Sequence, residues 1–475
     1  MRTPLANVDA TWHRMEEVSN RMVVLGVLVF DEPVSMKRLR ALLEERLLRF
    51  ARFRQRIVER AAGALAWEED PDFALERHLV SERLPAPGGE TALQAFASQL
   101  ASQPFAKGRP PWRFHFVPNY QGGSALVVRL HHAIGDGLAL VHVLLSMADD
   151  APKPPEPARR EAEAQDIWAS VAAAAASALS LPVRVGRDAL GLLKNPGRPV
   201  RASLEVASRL ASLLRLLLLT PDPPTPFKGP LGKRKKLVWS RPFPLEEFKA
   251  AGRASGTTVN DILMAALAGG LRRYLLDRGG VPKALDVRAV VPVNLRPASE
   301  AHLLGNWFGL VFVSLPLGIE ETVARLKELH SRMEALKKSP DAPAVWALLW
   351  VMGQLPRPLF ELLVDVFASK ATAVVTNVVG PKEAISLVGV RLRQAMFWVP
   401  CAGHLGLGVS LLSYAGLVRV GIQADVGLIP DPERILAGFE DELTALRALR
   451  RPADAKRRPH PAGTPRPRKR RPSPA

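Results

Sequence analysis

The most regular hydrophobic pattern in the chain is an apolar stretch that two adjacent histidines interrupt. Ser124–Leu140 reads SALVVRLHHAIGDGLAL. Its first half is apolar and β-branched, as in a buried strand, and the apolar residues after Asp136 and Gly137 recur at helical spacing. The pattern therefore predicts a strand, a tight turn and a helix, with His131 and His132 at the end of the strand.

Similar patterns occur in both halves of the chain. Met22–Phe30 is a continuous apolar run of strand length, and Ser35–Phe50 follows it with leucines on one side and charged residues on the other. We also predict strands over 62–69, 237–240, 309–317, 388–398, 404–414 and 417–425, and helices over 91–103, from 245 onward and over 432–449. This alternation predicts an α/β fold class, built as two-layer α+β lobes.

Changes in composition divide the chain into four segments. Residues 1–150 are predicted to form an N-terminal lobe, 151–235 a helical crossover, and 236–450 a C-terminal lobe. Residues 451–475 are basic and rich in proline, so we expect this tail to be disordered.

Two apolar runs in the crossover bear on membrane contact. Ile167–Val183 is uncharged and rich in alanine, at the lower limit of length for a membrane span. Arg201–Leu219 combines arginines with a dense leucine face. That profile fits a helix lying in a membrane interface and fits equally a helix that packs its leucines on its own protein.

Composition indicates a globular protein in a reducing compartment. Hydrophobic residues make up 47% of the chain and charged residues 23%. Cys401 is the only cysteine, which rules out an intrachain disulfide. The first residues include acidic side chains and no apolar signal segment, so we expect a cytoplasmic protein.

The charge is strongly positive, with a formal net charge of +19. The last 25 residues contribute nine basic residues and one acidic residue. No aromatic residues alternate with these charges, so we do not expect nucleic-acid binding. Attraction to an anionic membrane surface, or simple solubility, explains the charge better.

The two histidines are the first candidates for chemistry. A neutral imidazole accepts a proton from a hydroxyl and returns it to a leaving group, so His132 is a candidate general base. Asp136 is placed to orient the ring or to brace the turn by pairing with an arginine. It is also placed to cap the following helix, which would be a purely structural role. Gly137 permits close approach of a substrate to the backbone.

The string HHAIGDG matches the HHxxxDG signature of the coenzyme A-dependent acyltransferase superfamily, which includes chloramphenicol acetyltransferase. Within it, the whole chain resembles the bacterial wax ester synthase/diacylglycerol acyltransferase family. Further matches to that family lie in Pro110-Pro111-Trp112, Asn260-Asp261, Asn294-x-Arg296, Gly305-Asn306 and Asn377-x-x-Gly380-Pro381. Pro111 departs from the family pattern, in which leucine occupies this place.

The resemblance implies two chloramphenicol-acetyltransferase-like lobes with the catalytic histidine in a tunnel between them. It makes Asn260 a candidate to hold the reacting carbonyl, and Arg296 the best candidate partner of Asp136. Asp261 has a structural explanation, because it forms a capping-box pattern with Thr258. The turns that carry Asn306 and Asn377 are expected to line the channel, or to act only as turns.

The reaction that the resemblance implies is transfer of a fatty acyl group from acyl-CoA to diacylglycerol or a long-chain alcohol. His132 would act as general base without a covalent intermediate, and His131 would orient its neighbour or hydrogen-bond the backbone. Acyl-CoA would be a substrate, and no further cofactor or metal is expected. We expect peripheral association with the inner face of the plasma membrane or with lipid inclusions.

Two alternatives to this function stay open at the level of sequence. One is a related acyltransferase that takes its acyl group from a carrier protein. The other is a non-catalytic protein that coats lipid granules. The intact HHxxxDG string argues against the second alternative.

Overall fold

A computed structural model of the chain describes residues 2–60, 63–151, 208, 211–297, 300, 303–401 and 403–448. The apolar run Ile167–Val183 and the tail over 451–475 lie outside the described residues. Only 208 and 211–219 are described within the predicted helix Arg201–Leu219, and residues 211–218 are helical.

Within the described residues, the strands and α-helices are as follows. The strands are β1 (Arg2–Pro4), β2 (Val23–Phe30), β3 (Gln55–Glu59), β4 (Leu65–Glu69), β5 (Leu79–Ser81), β6 (Trp112–Tyr120), β7 (Gly123–His131), β8 (Lys235–Trp239), β9 (Phe243–Pro244), β10 (Asp286–Asn294), β11 (Phe308–Pro316), β12 (Ala373–Val379), β13 (Ser386–Leu387), β14 (Val390–Trp398), β15 (Leu407–Tyr414) and β16 (Leu417–Asp425). The α-helices are α1 (Asn7–Arg14), α2 (Met36–Leu42), α3 (Gly89–Ala101), α4 (Gly137–Ser146), α5 (Leu245–Ser255), α6 (Val259–Leu276), α7 (Thr322–Lys337), α8 (Asp341–Met352), α9 (Arg357–Ser369) and α10 (Pro432–Arg447).

A six-stranded sheet contains the strand that precedes the histidines. Its spatial order is β13-β14-β2-β7-β6-β5, and the central strands β2 and β7 are buried along their whole length. This burial on both faces explains why β2 is continuously apolar rather than alternating, and why β7 is apolar except for Ser124, Arg129 and His131. Leucines of α2, α3 and α4 pack against this sheet in one large hydrophobic cluster.

A seven-stranded sheet forms the core of the second half. Its order is β11-β10-β12-β15-β16-β8, and β9 also pairs with β16. One face packs against α6 and α10 in a second hydrophobic cluster, which includes Leu263 and Phe439. The N-terminal half also forms a separate three-stranded sheet, β1-β4-β3.

Sheet membership does not follow chain order. β14 comes from the C-terminal half, yet it pairs antiparallel with β2, with Trp398 opposite Leu25 and Leu392 opposite Phe30. Residues 386–398 therefore extend the sheet that the N-terminal strands build. The boundaries predicted at 150 and 236 therefore do not separate the two sheets, because β14 lies in the predicted C-terminal lobe and belongs to the six-stranded sheet.

Local details also differ from the predicted elements. We expected one helix over Ser35–Phe50. The α-helix ends at Leu42, and a π-helical turn follows it over Leu43–Leu47. The segment 318–371, for which we predicted no elements, contains α7, α8 and α9. Within the described residues, no helix combines the length and the apolar character needed to cross a membrane.

Candidate active site

The predicted strand, turn and helix are present around the two histidines. β7 ends at His131, and α4 begins at Gly137. The backbone amide of His132 donates to the carbonyl of Met22 at 2.8 Å, which ties the end of β7 to the start of β2. Gly135 then forms a parallel bridge with Gly305, so the turn is held against a segment of the second half of the chain.

Asp136 braces this turn from both sides. One carboxylate oxygen accepts a hydrogen bond from the amide of Ala139 at 2.9 Å, which caps α4. The other oxygen accepts from Arg296 at 2.9 Å and from the amide of Trp307 at 2.9 Å. Arg296 is thus the partner that the resemblance favoured, and the capping role is present as well. Since these bonds occupy both oxygens, Asp136 acts on the turn rather than on the ring of His132.

A second buried carboxylate, Asp9 of α1, holds the other side of the turn. One oxygen accepts from both the backbone and the side-chain amide of Asn306, and the other pairs with Arg52 at 3.0 Å. Asn306 donates to the carbonyl of His132 at 2.9 Å, and Arg52 donates to the carbonyl of Ile134 at 2.9 Å. Asp9 therefore fixes the main chain of the turn through two intermediaries.

The side chain of His131 contacts the backbone of Ala133 and the carboxylate of Glu16. Its Nδ1 accepts a hydrogen bond from the backbone amide of Ala133 at 3.0 Å, so Nδ1 carries no proton. Its Nε2 lies 3.1 Å from a carboxylate oxygen of Glu16, which also pairs with Arg21. Contact with His131 and Arg21 holds the pKa of Glu16 below its ordinary value although burial opposes this. His131 thus hydrogen-bonds the backbone, one of its two predicted roles.

The ring of His132 is buried between aromatic side chains. It stacks on Trp12, with ring centroids 4.5 Å apart and planes inclined by 28°, and it meets Phe308 at 5.7 Å. Burial lowers the pKa of His132 to about 4, and the nearby charge of Asp136 opposes this only in part. The imidazole is therefore neutral at physiological pH, the form that accepts a proton.

His132 lines a cavity of about 320 Å³ between the seven-stranded sheet and helices α8 and α9. Alternation along the strands creates this wall: Val290 and Val374 face the cavity, whereas Ala289 and Val375 belong to the cluster on the opposite face. The apolar lining includes Met15, Leu310, Phe312, Val345, Leu349, Met352, Val364, Phe367, Val399 and Leu405.

The polar part of the lining is small and includes the catalytic candidate. Asn294, Thr376 and Asn377 line the cavity together with His132 and Asp136. A cavity of this size, apolar and with few polar groups, is typical of a site for a ligand with a long apolar part and a polar head.

The remaining candidates are Asn377, Asn260 and Asp261. Asn377 lines the cavity and donates to the side-chain oxygen of Asn260 at 2.8 Å. Asn260 is not among the cavity-lining residues and contacts them through Asn377, so its role towards the reacting carbonyl stays a prediction. Asp261 completes a capping box with Thr258 and accepts from His330 at 2.8 Å, which confirms its structural explanation.

The sequence did not predict a functional role for several residues of the site. Asp9 and Trp12 lie in an N-terminal segment that resembles the opening of the family's sequences, a resemblance that assigns no role to either residue, and no pattern in the sequence pointed to Arg52 or Phe308. Helices α8 and α9, which cover the cavity, were not predicted at all. The described residues contain no cluster of three or more histidine, cysteine or acidic side chains suited to a metal ion.

Comparison with known proteins gives the family. A sequence model of the wax ester synthase/diacylglycerol acyltransferase catalytic domain matches residues 5–263, and one of the WS/DGAT C-terminal domain matches residues 304–447. The chain belongs to this family. It is an acyltransferase with diacylglycerol acyltransferase or wax ester synthase activity, as the sequence resemblance implied.

Similar individual proteins agree in length and in fold. The probable diacylglycerol O-acyltransferase tgs1 of Mycobacterium tuberculosis is 28% identical over 461 residues, covering 94% of this chain and 96% of the relative. The solved wax ester synthase/diacylglycerol acyltransferase from Marinobacter aquaeolei VT8 matches with a TM-score of 0.66 at 24% identity, covering 94% of this chain and 99% of that one.

More distant solved structures share the same architecture. The first condensation domain of the calcium-dependent antibiotic synthetase has a TM-score of 0.61 at 15% identity, covering 94% of this chain and 97% of that chain. The TRI3 trichothecene 15-O-acetyltransferase from Fusarium sporotrichioides has a TM-score of 0.63 at 12% identity, covering 94% and 95%. These matches confirm the predicted fold class, a pair of chloramphenicol-acetyltransferase-like α/β lobes.

Proposed function

We propose that this acyltransferase moves a fatty acyl group from acyl-CoA to the hydroxyl of diacylglycerol or of a long-chain alcohol. The observation that carries the proposal is a neutral, buried imidazole at the wall of a cavity of about 320 Å³ with a mainly apolar lining. A fatty chain leaves water on entering such a cavity, which contributes about 0.8 kcal/mol for each buried CH₂ group.

In the proposed reaction, His132 takes the hydroxyl proton as the oxygen attacks the thioester carbonyl carbon. The carbon–sulfur bond then breaks, the thiolate receives the proton from the imidazolium, and the products are an ester and free coenzyme A. The side-chain amides of Asn377 and Asn294 are the polar groups available to the carbonyl oxygen. A donor of this kind contributes about 3 kcal/mol to transition-state stabilisation.

Direct transfer, without an acyl-enzyme, is supported by the side chains at hand. No described residue that lines the cavity is a serine or a cysteine. Cys401 is buried nearby, and burial raises the pKa of its thiol to about 12, which makes it a poor nucleophile. Thr376 lines the cavity, but its hydroxyl faces the carbonyl of Val409 at 3.5 Å.

The deciding experiment incubates pure protein with palmitoyl-CoA and either diolein or hexadecanol and identifies the lipid products. We expect triacylglycerol, wax ester or both, and a loss of about 10²–10⁴-fold in kcat for His132→Ala, with an unchanged circular dichroism spectrum. Retained turnover in His132→Ala would refute the assignment of the base. A hydrolysis-resistant acyl-CoA analogue that fails to compete would instead favour an acyl-carrier protein as donor.

We further propose that the protein takes its water-insoluble acceptor from a lipid surface. Five leucines are exposed on the helical segment 211–218 and on α9, namely Leu214, Leu217, Leu218, Leu359 and Leu362. We call these residues the leucine surface. The two helices are neighbours, because Leu216 packs in one cluster with Phe360 and Val364. Since the inner face of α9 lines the cavity, the exposed leucines of α9 lie on the outer side of a helix that borders the proposed substrate site.

Vesicle sedimentation tests this attachment. The double variant Leu359→Ser/Leu362→Ser is expected to lose binding to vesicles of phosphatidylglycerol and phosphatidylcholine, and to lose turnover of diolein within them. Leu276→Ser is the matched control, because Leu276 is 48% exposed at the end of α6, outside the leucine surface. If the double variant binds vesicles as well as the control does, this surface is not the membrane contact.

A further inference from the structure

No carboxylate among the described residues hydrogen-bonds the ring of His132. A carboxylate or carbonyl on the second ring nitrogen commonly orients such an imidazole. Here Asp136 is committed to Arg296 and to two backbone amides. Nδ1 of His132 is buried and makes no well-formed hydrogen bond among the described residues, and the uncharged polar groups that act on the ring are the side chain of Asn306 and the backbone of His132 itself. Since neither of these contacts reaches hydrogen-bond geometry, aromatic packing is the contact that remains to fix the direction of the ring.

Trp12 supplies that packing. Its indole stacks on the imidazole at 4.5 Å with the planes inclined by 28°, and it lines the cavity, while Phe308 contacts both rings. The indole is only 5% exposed and covers one face of the imidazole. Contact of this kind restricts rotation of the ring and removes water from it at the same time.

The helix that carries Trp12 is itself fixed on two sides. Asp9, one turn earlier, holds Asn306 and Arg52 and through them the backbone of the catalytic turn. Thr11 donates to the carbonyl of Leu349 in α8 at 2.7 Å. α1 therefore controls both the backbone and the ring of His132, the former through Asp9 and the latter through Trp12.

We propose that Trp12 is the positioning residue for the catalytic base, holding the imidazole of His132 towards the cavity and keeping water from its covered face. This inference rests on the proposed function for its catalytic consequence but not for its geometric one. It assigns to a residue outside the HHxxxDG string the orienting role that a carboxylate has in many other sites.

Several ionisable groups lie around the imidazole, and their charges, like its burial, affect the pKa of His132. Asp136 and His131 lie on the same segment, Asp9 and His13 on α1, and Arg52 and Arg296 on the two flanking loops. Desolvation is the largest influence and lowers the pKa of His132 to about 4, against the opposing charge of Asp136. Removing the indole should admit water and let this pKa rise.

The chain contains a matched control for the stack. Trp112 stacks on His78 with centroids 4.5 Å apart and planes inclined by 24°, nearly the same geometry, and neither residue lines the cavity. Trp112→Ala removes an equivalent contact from the hydrophobic core. It therefore shows what loss of packing alone does to activity.

The experiment measures the pKa of His132 by NMR of histidine-labelled full-length protein, with the signal assigned by its absence in His132→Gln. We expect a value near 4 in the wild type and a rise towards 6.5 in Trp12→Ala. We also expect kcat of Trp12→Ala to fall by about 10²-fold with little change in KM, because the base is misplaced rather than the substrate. Trp12→Phe, which keeps a flat ring, should restore most of both properties.

Each outcome is informative. An unchanged His132 pKa and unchanged kcat in Trp12→Ala would overturn the proposal, as would an equal fall in kcat for Trp112→Ala. If Trp12→Ala does not fold, Trp12→Met keeps apolar bulk without a flat face, and a wild-type pKa and kcat in that variant would overturn the proposal instead. A shifted pKa in Trp12→Ala together with full activity of His132→Ala would leave the positioning intact and refute the general-base mechanism.

Discussion

Arg296 lies 2.9 Å from Asp136, and the two side chains are 2% and 7% exposed although 160 residues separate them. This pair joins the catalytic turn of the first half to the strand end of the second half. Breaking a buried pair by removing one partner leaves an uncompensated charge, which costs about 3–5 kcal/mol.

The first prediction is that Arg296→Met lowers the free energy of unfolding by about 3–5 kcal/mol in urea titrations. Asp136→Asn should cost less in the Arg296→Met background than in the wild type, because no unpaired carboxylate then remains. The exposed pair Arg357–Glu361 is the control, and its removal should leave the free energy of unfolding nearly unchanged. Strict additivity of the two buried substitutions would contradict the pairing.

The second prediction concerns Asp9. Asp9→Ala should lower both stability and kcat, because Asn306 and Arg52 lose their anchor and no longer hold the turn. Asp70→Ala is matched to it, since Asp70 is also a buried carboxylate paired with an arginine, Arg109, and does not line the cavity. Both variants should melt at lower temperature, whereas only Asp9→Ala should lose turnover at a temperature where both are folded.

An equal loss of turnover in the two aspartate variants would mean that Asp9 acts through general stability alone. A normal kcat in Asp9→Ala would show that the turn holds its shape without the anchor. Circular dichroism at the assay temperature ensures that the compared samples are folded.

The parts of the site that sequence predicted are those that depend on neighbouring residues. The strand, turn and helix around HHAIGDG, and the capping box of Thr258 and Asp261, follow from local spacing and turn chemistry. The partner of Asp136 came from the family resemblance instead. Spacing alone did not distinguish between capping, bracing and orienting the ring.

The parts that sequence did not predict depend on contacts between distant segments. The stack of Trp12 on His132 and the pairing of β14 with β2 join residues more than a hundred positions apart. The contact between Asn260 and Asn377 is of the same kind, because it is set by the approach of α6 to β12. No local pattern of hydrophobic and polar residues encodes such contacts.

The third prediction concerns the cavity wall. Val374 faces the cavity from β12, so Val374→Phe should fill part of the volume that a long acyl chain would occupy. We expect turnover with palmitoyl-CoA to fall by about tenfold or more. The phenyl ring would remove about 1–2 kcal/mol of favourable contact between the acyl chain and the cavity wall. Turnover with butyryl-CoA should change little, which provides an internal control for folding. Equal losses with both donors would place the acyl chain elsewhere.

The fourth prediction is a loss of stability in mild acid. Folded His132 stays neutral down to a pKa of about 4, whereas in the unfolded chain it takes up a proton near pH 6.5. Between these values the unfolded state binds more protons, so the free energy of unfolding falls as the pH is lowered. A shift of this size corresponds to about 3 kcal/mol for His132, fully expressed at pH 4 and absent above pH 6.5.

His13 should add to this effect, because burial and the neighbouring His131 lower its pKa to about 4 as well. Urea titrations from pH 4 to 8 on the wild type and on His132→Gln isolate the contribution of His132, since acidic groups titrate alike in both proteins. The stability of the wild type should decline more steeply with acid than that of His132→Gln. Parallel curves would mean that the imidazole of His132 reaches water in solution, and that Trp12 and Phe308 do not enclose it.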